Sequence, residues 1–181
     1  MAKLVSTTYG EALFELAIKN RNLDDTVMEV ESVKNIFMNN EELLRLLNHP
    51  KISTQEKIAV IEDVFKGRVS DTVTGLLVVA VQKGRGKDVI SILDCFLSKA
   101  DEYRLIGTAH VISAVELTDM QKEELLQKLK DTTKYKSFKM YYKVDKNIIG
   151  GIVIRIGDRI VDSSIKTKLE NMSKELYELQ I

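Results

Sequence analysis

The sequence predicts a mostly helical α+β chain in two parts, a helical bundle over residues 1–105 and a small α/β domain over 106–181. Through the first part, apolar residues recur at helical spacing with polar residues between them, the pattern of helices that bury one face. Around Leu105-Ile106-Gly107 this gives way to runs that alternate residue by residue, as half-buried strands do. Leu, Ile, Val, Glu and Lys abound, tryptophan is absent and proline occurs once, a composition that suits helices.

The first helix is expected over residues 4–19, with Tyr9, Leu13, Leu16 and Ala17 on one face. A second carries Leu23, Val27, Val30, Val33 and Phe37 and fades at Asn39-Asn40. A short third packs Leu43, Leu44, Leu46 and Leu47 before His49-Pro50, which stops it because proline biases the preceding residue away from helical backbone. Ser53-x-x-Glu56 is a capping box that opens a fourth helix with Ile58, Ile61 and Phe65, and Gly67 ends it. The fifth segment, residues 70–82, contains Leu76-Leu77-Val78-Val79-Ala80-Val81 and is apolar all round. Periodicity does not separate a buried helix from a buried strand there. Its β-branched residues favour a strand, and its helical neighbours favour a central, nearly buried helix. Lys83-Gly84-Arg85-Gly86 breaks the segment, and a sixth helix brings Val89, Leu93, Phe96, Ala100 and Tyr103 into register.

Past the boundary, residues 108–115 alternate loosely as a strand, and Thr118-x-x-Gln121 caps a helix that uses Met120, Leu125, Leu126 and Leu129. Phe138, Met140, Tyr142 and Val144 alternate with Ser137, Lys139, Tyr141 and Lys143, which predicts a strand with the first set buried. Ile152, Ile154 and Ile156 form the next strand. Gly157-Asp158 fits a two-residue hairpin loop, since glycine takes the positive φ of a type II′ turn, and the return strand sets Val161 opposite Ile154. Asp162, Ser163 or Ser164 caps the last helix. In it Ile165, Leu169, Met172, Leu176 and Leu179 recur at spacings of four, three, four and three. That spacing is a coiled-coil seam as much as a face for the chain's own sheet. The first helix and the apolar fifth segment form a second candidate surface, a groove for a partner's amphipathic helix.

Composition excludes several functions. With 27 basic and 27 acidic residues the formal charge is zero, whereas nucleic-acid binders carry a basic excess to neutralise phosphates. The segment 134–146, KYKSFKMYYKVDK, interleaves basic and aromatic residues and is the one stretch with a nucleic-acid pattern; its apolar members fall on one strand face, as core residues would. His49, His110 and the lone Cys95 form no cluster with metal-ligand spacing, and one cysteine excludes an internal disulfide and suits a reducing cytoplasm. Gly84-x-Gly86 and Gly86-Lys87 lack the remaining residues of a dinucleotide fingerprint or P-loop. Gly150-Gly151 precedes a strand, so it presents no helix N–H groups to a phosphate. The N-terminus lacks the apolar core of a signal peptide, and the longest apolar run, 76–81, falls far short of the ~20 residues of a membrane span. Neither enzyme chemistry nor a cofactor is expected, and any membrane association is expected to run through a partner.

Gly150-Gly151, Ile156-Gly157-Asp158, Asp162, Ser164 and Leu169 resemble the C-terminal signature of the δ subunits of bacterial F-type ATP synthases, counterparts of the mitochondrial oligomycin-sensitivity-conferring protein. Ser163 stands where that family usually has glycine. The resemblance extends from the first helix to the last and covers QKGRGKDVISIL between the fifth and sixth helices. It implies a six-helix N-terminal bundle, hence a helical fifth segment. It also implies a stator role, linking the catalytic head to the peripheral stalk so that a proton- or sodium-driven rotor does work against a fixed head. In that family the first and fifth helices hold the N-terminal segment of an α subunit, and the C-terminal domain holds the membrane-anchored b subunits. Carried over, this implicates Tyr9, Ala12, Leu13, Leu76 and Val79 in head binding and Leu169, Met172 and Leu176 in b binding. The expected location is the cytoplasmic face of the cell membrane. A generic helical adaptor or weak RNA-binding protein is the alternative.

Overall fold

The computed structural model describes residues 2–178, and side chains over 6–175. The chain forms two compact units, Met1–Asp101 and Glu102–Ile181.

The first unit is helical: α1 (Ala2–Lys19), α2 (Leu23–Asn39), α3 (Glu41–Asn48), α4 (Thr54–Phe65), α5 (Asp71–Gln82) and α6 (Val89–Tyr103), the last running across the break between units. The fifth segment is therefore a helix, and the β-branched residues in it do not decide its backbone. Leu13 and Ala17 of α1, Val30 and Phe37 of α2, Phe65 of α4, Leu77 of α5 and Phe96 of α6 meet in one core. The Phe37 and Phe65 rings pack with centroids 5.5 Å apart. α1 and α6 cross closely at Gly10, where a Cβ would come within 2.8 Å of Cys95 Cβ. The capping box that opens α4 is complete: the Ser53 N–H donates to Glu56 Oε2 at 2.9 Å, and the Glu56 N–H donates to Ser53 Oγ at 3.2 Å. The Ser53 N–H, and after it the Ser53 hydroxyl, which donates to the same Oε2 at 3.0 Å, hold the Glu56 carboxyl below its ordinary range.

Three expectations for these helices need correction. α5 is not nearly buried: Val79 is 40% exposed, and Leu76 and Val78 are half-buried. α5 buries one side, through Val73, Leu77, Ala80 and Val81, in the single core of the bundle, and among the described residues nothing covers Val79 on its outer side. Leu16, expected on the inner face of α1, is 46% exposed, and Tyr103 lies at the surface.

The second unit contains β1 (Ile106–Ser113), α7 (Asp119–Thr132), β2 (Ser137–Val144), β3 (Ile152–Ile156), β4 (Arg159–Asp162) and α8 (Ile165–Glu178). The sheet order is β2-β1-β3-β4. β1 and β2 run parallel with α7 as the crossover, while β1/β3 and the β3/β4 hairpin are antiparallel. Ile154 lies opposite both Val111 and Val161. The face carrying Ala109, Val111 and Ile154 packs with Leu125 and Leu129 of α7. Thr118 and Gln121 form the expected capping box at the start of α7. Phe138 and Met140 join this core, but Tyr142 and Val144, expected to be buried with them, are 40% and 48% exposed. β2 is an edge strand, and only its first half reaches the α7 core; Lys122 Nζ lies 5.7 Å from the centroid of the Tyr142 ring. Met120 is likewise exposed on α7.

Candidate interaction surfaces

The C-terminal signature is a device for placing α8. The Gly150 carbonyl accepts from the Ile165 N–H at 3.0 Å, and the Ile152 carbonyl accepts from the Ser163 N–H at 3.0 Å. The backbone at 150–152 thus lies flat against the entry to α8. Side chains have no room there: a Cβ on Gly151, whose φ is +78°, would overlap the Ser163 carbonyl oxygen, and one on Gly150 would lie 2.6 Å from Ile165 Cδ1. Gly157 takes a φ of +56° in the hairpin loop, with Asp158 exposed beside it.

Ser164 caps α8. It is 2% exposed, and its Oγ accepts from the Thr167 N–H at 3.2 Å. Asp162 supports the cap by accepting from the Ser164 N–H and from the Thr167 hydroxyl, each at 2.8 Å. The Ser164 backbone bond, followed by hydroxyl bonds from Ser164 and Thr167, holds the Asp162 carboxyl below its ordinary range. Of the three capping candidates, Ser164 caps and Asp162 orients it.

Along the described part of the α8 stripe, Ile165, beside Gly150, is 44% exposed, and Leu169 and Met172 are 53% and 59% exposed. Leu176 lies outside the described side chains and Leu179 outside the described residues. Ile149 and Val161, both exposed, add apolar surface to this unit.

On the first unit α1 packs against α5. The outer face of α1 exposes Thr8, Ala12 and Leu16, and that of α5 exposes Asp71, Gly75 and Val79. Of the five residues implicated here, Ala12 and Val79 are exposed, Tyr9 and Leu76 are half-buried against the core, and Leu13 is a core residue at 1% exposure. Leu13 therefore offers a partner no surface. Two residues of this face, Leu16 and Gly75, were not read from sequence as partner-facing. Leu16 looked like core because it shares the stripe of Leu13. The available signal for Gly75 was a glycine in the interior of a helix, a placement that costs about 1 kcal/mol relative to alanine.

No group of three or more His, Cys, Asp or Glu residues is placed to hold a metal among the described residues. Cys95 is half-buried. His49 Nδ1 accepts from the Lys51 N–H at 3.2 Å, and the His110 ring stacks on Tyr141. These are structural contacts.

The profile of a family described as ATP synthase delta (OSCP) subunit matches residues 5–176. The chain is 54% identical over 181 residues to the ATP synthase subunit delta of Lachnoclostridium phytofermentans, covering 100% of both. The chain belongs to the ATP synthase delta (OSCP) subunit family. The family's subunit delta of Halalkalibacterium halodurans is 37% identical over 172 residues, 95% of this chain and 94% of that one. A chain of the Toxoplasma gondii mitochondrial ATP synthase hexamer has the same fold, with a TM-score of 0.74 over 95% of this chain and 97% of that one at 17% identity. Membership of this family makes the chain a non-catalytic subunit of an ATP synthase, and a stator role fits. Among the described residues no helix is long and apolar enough to cross a membrane; peripheral association with the membrane complex accords with this.

Proposed function

We propose that the chain is the mechanical link between the catalytic head and the peripheral stalk of an F1Fo ATP synthase. Residues 1–105 hold the N-terminal segment of an α subunit on the outer faces of α1 and α5. Residues 106–181 hold the b subunits, with α8 as the contact. The chain sits at the cytoplasmic face of the cell membrane and reaches it through these partners. The observation that carries this reading is that each unit leaves an apolar helix face uncovered, Leu16 and Val79 on one, Ile165, Leu169 and Met172 on the other. A bridge needs two such faces, because each interface must also offset the ~2–5 kcal/mol spent ordering a flexible partner segment. No group transfer is involved: the chain opposes torque by staying bound at both ends.

Calorimetric titration of the full chain with a synthetic N-terminal peptide of the same organism's α subunit tests the head contact. Saturable one-to-one binding that Val79→Asp weakens supports it. Binding to the intact head without binding to the peptide keeps the function and moves the interface. Binding to neither removes the stator reading and reopens the adaptor and RNA-binding alternatives.

A further inference from the structure

We propose that α8 is a latch that lifts without unfolding the sheet, and that backbone strain stored at Ile149 sets how readily it lifts. The opening is a property of the chain alone and needs no partner, so it stands apart from the stator reading.

Ile149 has a φ of +67° and a ψ of −45°. The Gly150 N–H donates back to the Ile148 carbonyl at 2.8 Å, and the Ile149 N–H to the Lys146 carbonyl at 3.1 Å. The three residues 148–150 thus form a γ-turn of the rare, strained hand. A β-branched residue at positive φ is an outlier; glycine or asparagine enters that region far more easily. Burial does not offset the strain, because the Ile149 side chain is 61% exposed. Such a conformation persists only where its surroundings hold it.

Two clamps hold this turn. On the sheet side, the Asp145 N–H donates to the Ser113 carbonyl at the end of β1 at 2.8 Å, and the Asp145 carboxylate accepts from the Asn147 N–H at 2.9 Å. On the helix side, the Gly150 carbonyl accepts from the Ile165 N–H. Ser163, bonded to Ile152, marks the fixed end from which the helix swings. α8 lies against the 3₁₀ turn Lys146–Ile148 more than against any other element, while Leu169 and Met172 further along it are exposed. Its seat is therefore the strained turn itself. Once α8 lifts, the helix-side clamp is gone and the turn relaxes. Strain present in the seated state and absent from the open one shifts the balance toward opening. β1, paired on both sides and packed under α7, keeps its bonds through this motion.

Residue-resolved amide hydrogen exchange of the full chain tests this. Corrected for intrinsic rates, the Ile165 N–H should exchange about ten-fold faster or more than the N–H groups of Ala109 and Val111 in the middle of β1. Ile149→Gly and Ile149→Asn relieve the strain and should slow Ile165 about five- to hundred-fold. Ile149→Val keeps the β-branch and should leave Ile165 as in the wild type. Three results would overturn the proposal: Ile165 exchanging no faster than β1, Ile165 unmoved by both relieving variants, or valine slowing it as much as glycine does. Far-UV circular dichroism checks each variant, and loss of structure in Ile149→Asn or Ile149→Gly would itself overturn the claim that isoleucine is strained there.

Discussion

Gly151 and Asp162 show how single residues set the start of α8. At Gly151 a side chain meets both a positive φ and the Ser163 carbonyl oxygen. Since an L-residue held at such a φ costs on the order of 1–3 kcal/mol before any clash is counted, Gly151→Ala should lower the thermal midpoint by several degrees. An unchanged midpoint would mean that the 150–163 contact is not part of the folded unit. Ser164→Ala removes the acceptor for the Thr167 N–H and should cost about 1 kcal/mol. Asp162 adds a pH dependence. Folding holds its carboxyl charged below the ordinary range through the Ser164 and Thr167 bonds. Its contribution is therefore fully present above the unfolded pKa, and it is lost as pH falls through the lower folded value. Thermal midpoints of the wild type and Asp162→Asn should differ by a constant amount at neutral pH and converge below about pH 4. A gap that persists unchanged into acid would assign the bonds another role.

At the scale of the element, α1 and α5 separate residues that hold the bundle together from residues available to a partner. Leu13 is in the core, so Leu13→Ala should cost about 2–5 kcal/mol through the cavity it leaves. Leu13→Asp should lose helicity by circular dichroism before it says anything about binding. Gly75 is the opposite case. It lies exposed inside α5, and a Cβ there would meet nothing within 4 Å. Replacing it relieves a helix penalty of up to about 1 kcal/mol, so Gly75→Leu should keep or raise helicity. If a partner helix approaches α5 closely, the same change should weaken the α-subunit peptide at least ten-fold; unimpaired binding would place the peptide elsewhere. α8 tells the same story from its other side, an amphipathic helix whose stripe meets solvent within this chain.

At the scale of the whole molecule, the two compact units each expose apolar helix residues, and no described helix is long and apolar enough to cross a membrane. In the function proposed above, membrane attachment runs through the assembly. Membranes carrying the complex should retain the chain, and washing with low-ionic-strength buffer without detergent should release it together with the head. Chain left behind on membranes stripped of both the head and the b subunits would contradict attachment through partners.

The sequence by itself determined what local chemistry controls. Helical spacing, the Ser53–Glu56 and Thr118–Gln121 boxes, the hairpin that sets Ile154 opposite Val161 and the glycines at 150, 151 and 157 were legible. The boxes and the hairpin work through backbone dihedrals or hydrogen bonds within a few residues, whereas the need for glycine at 150 and 151 comes from the close approach of Ser163 and Ile165, which only the folded chain brings there. The helical state of residues 71–82 needed more than periodicity, because an apolar run reads alike as buried helix or strand. Only the tertiary structure decided which apolar residues are covered. Leu13 and Leu16 belong to one stripe, yet one is core and the other surface; Phe138 and Tyr142 share a strand face, yet only the first reaches the α7 core. Amphipathicity states that a face is apolar. What lies against it depends on elements far away in sequence, and among the described residues none covers Leu169 and Met172 of α8.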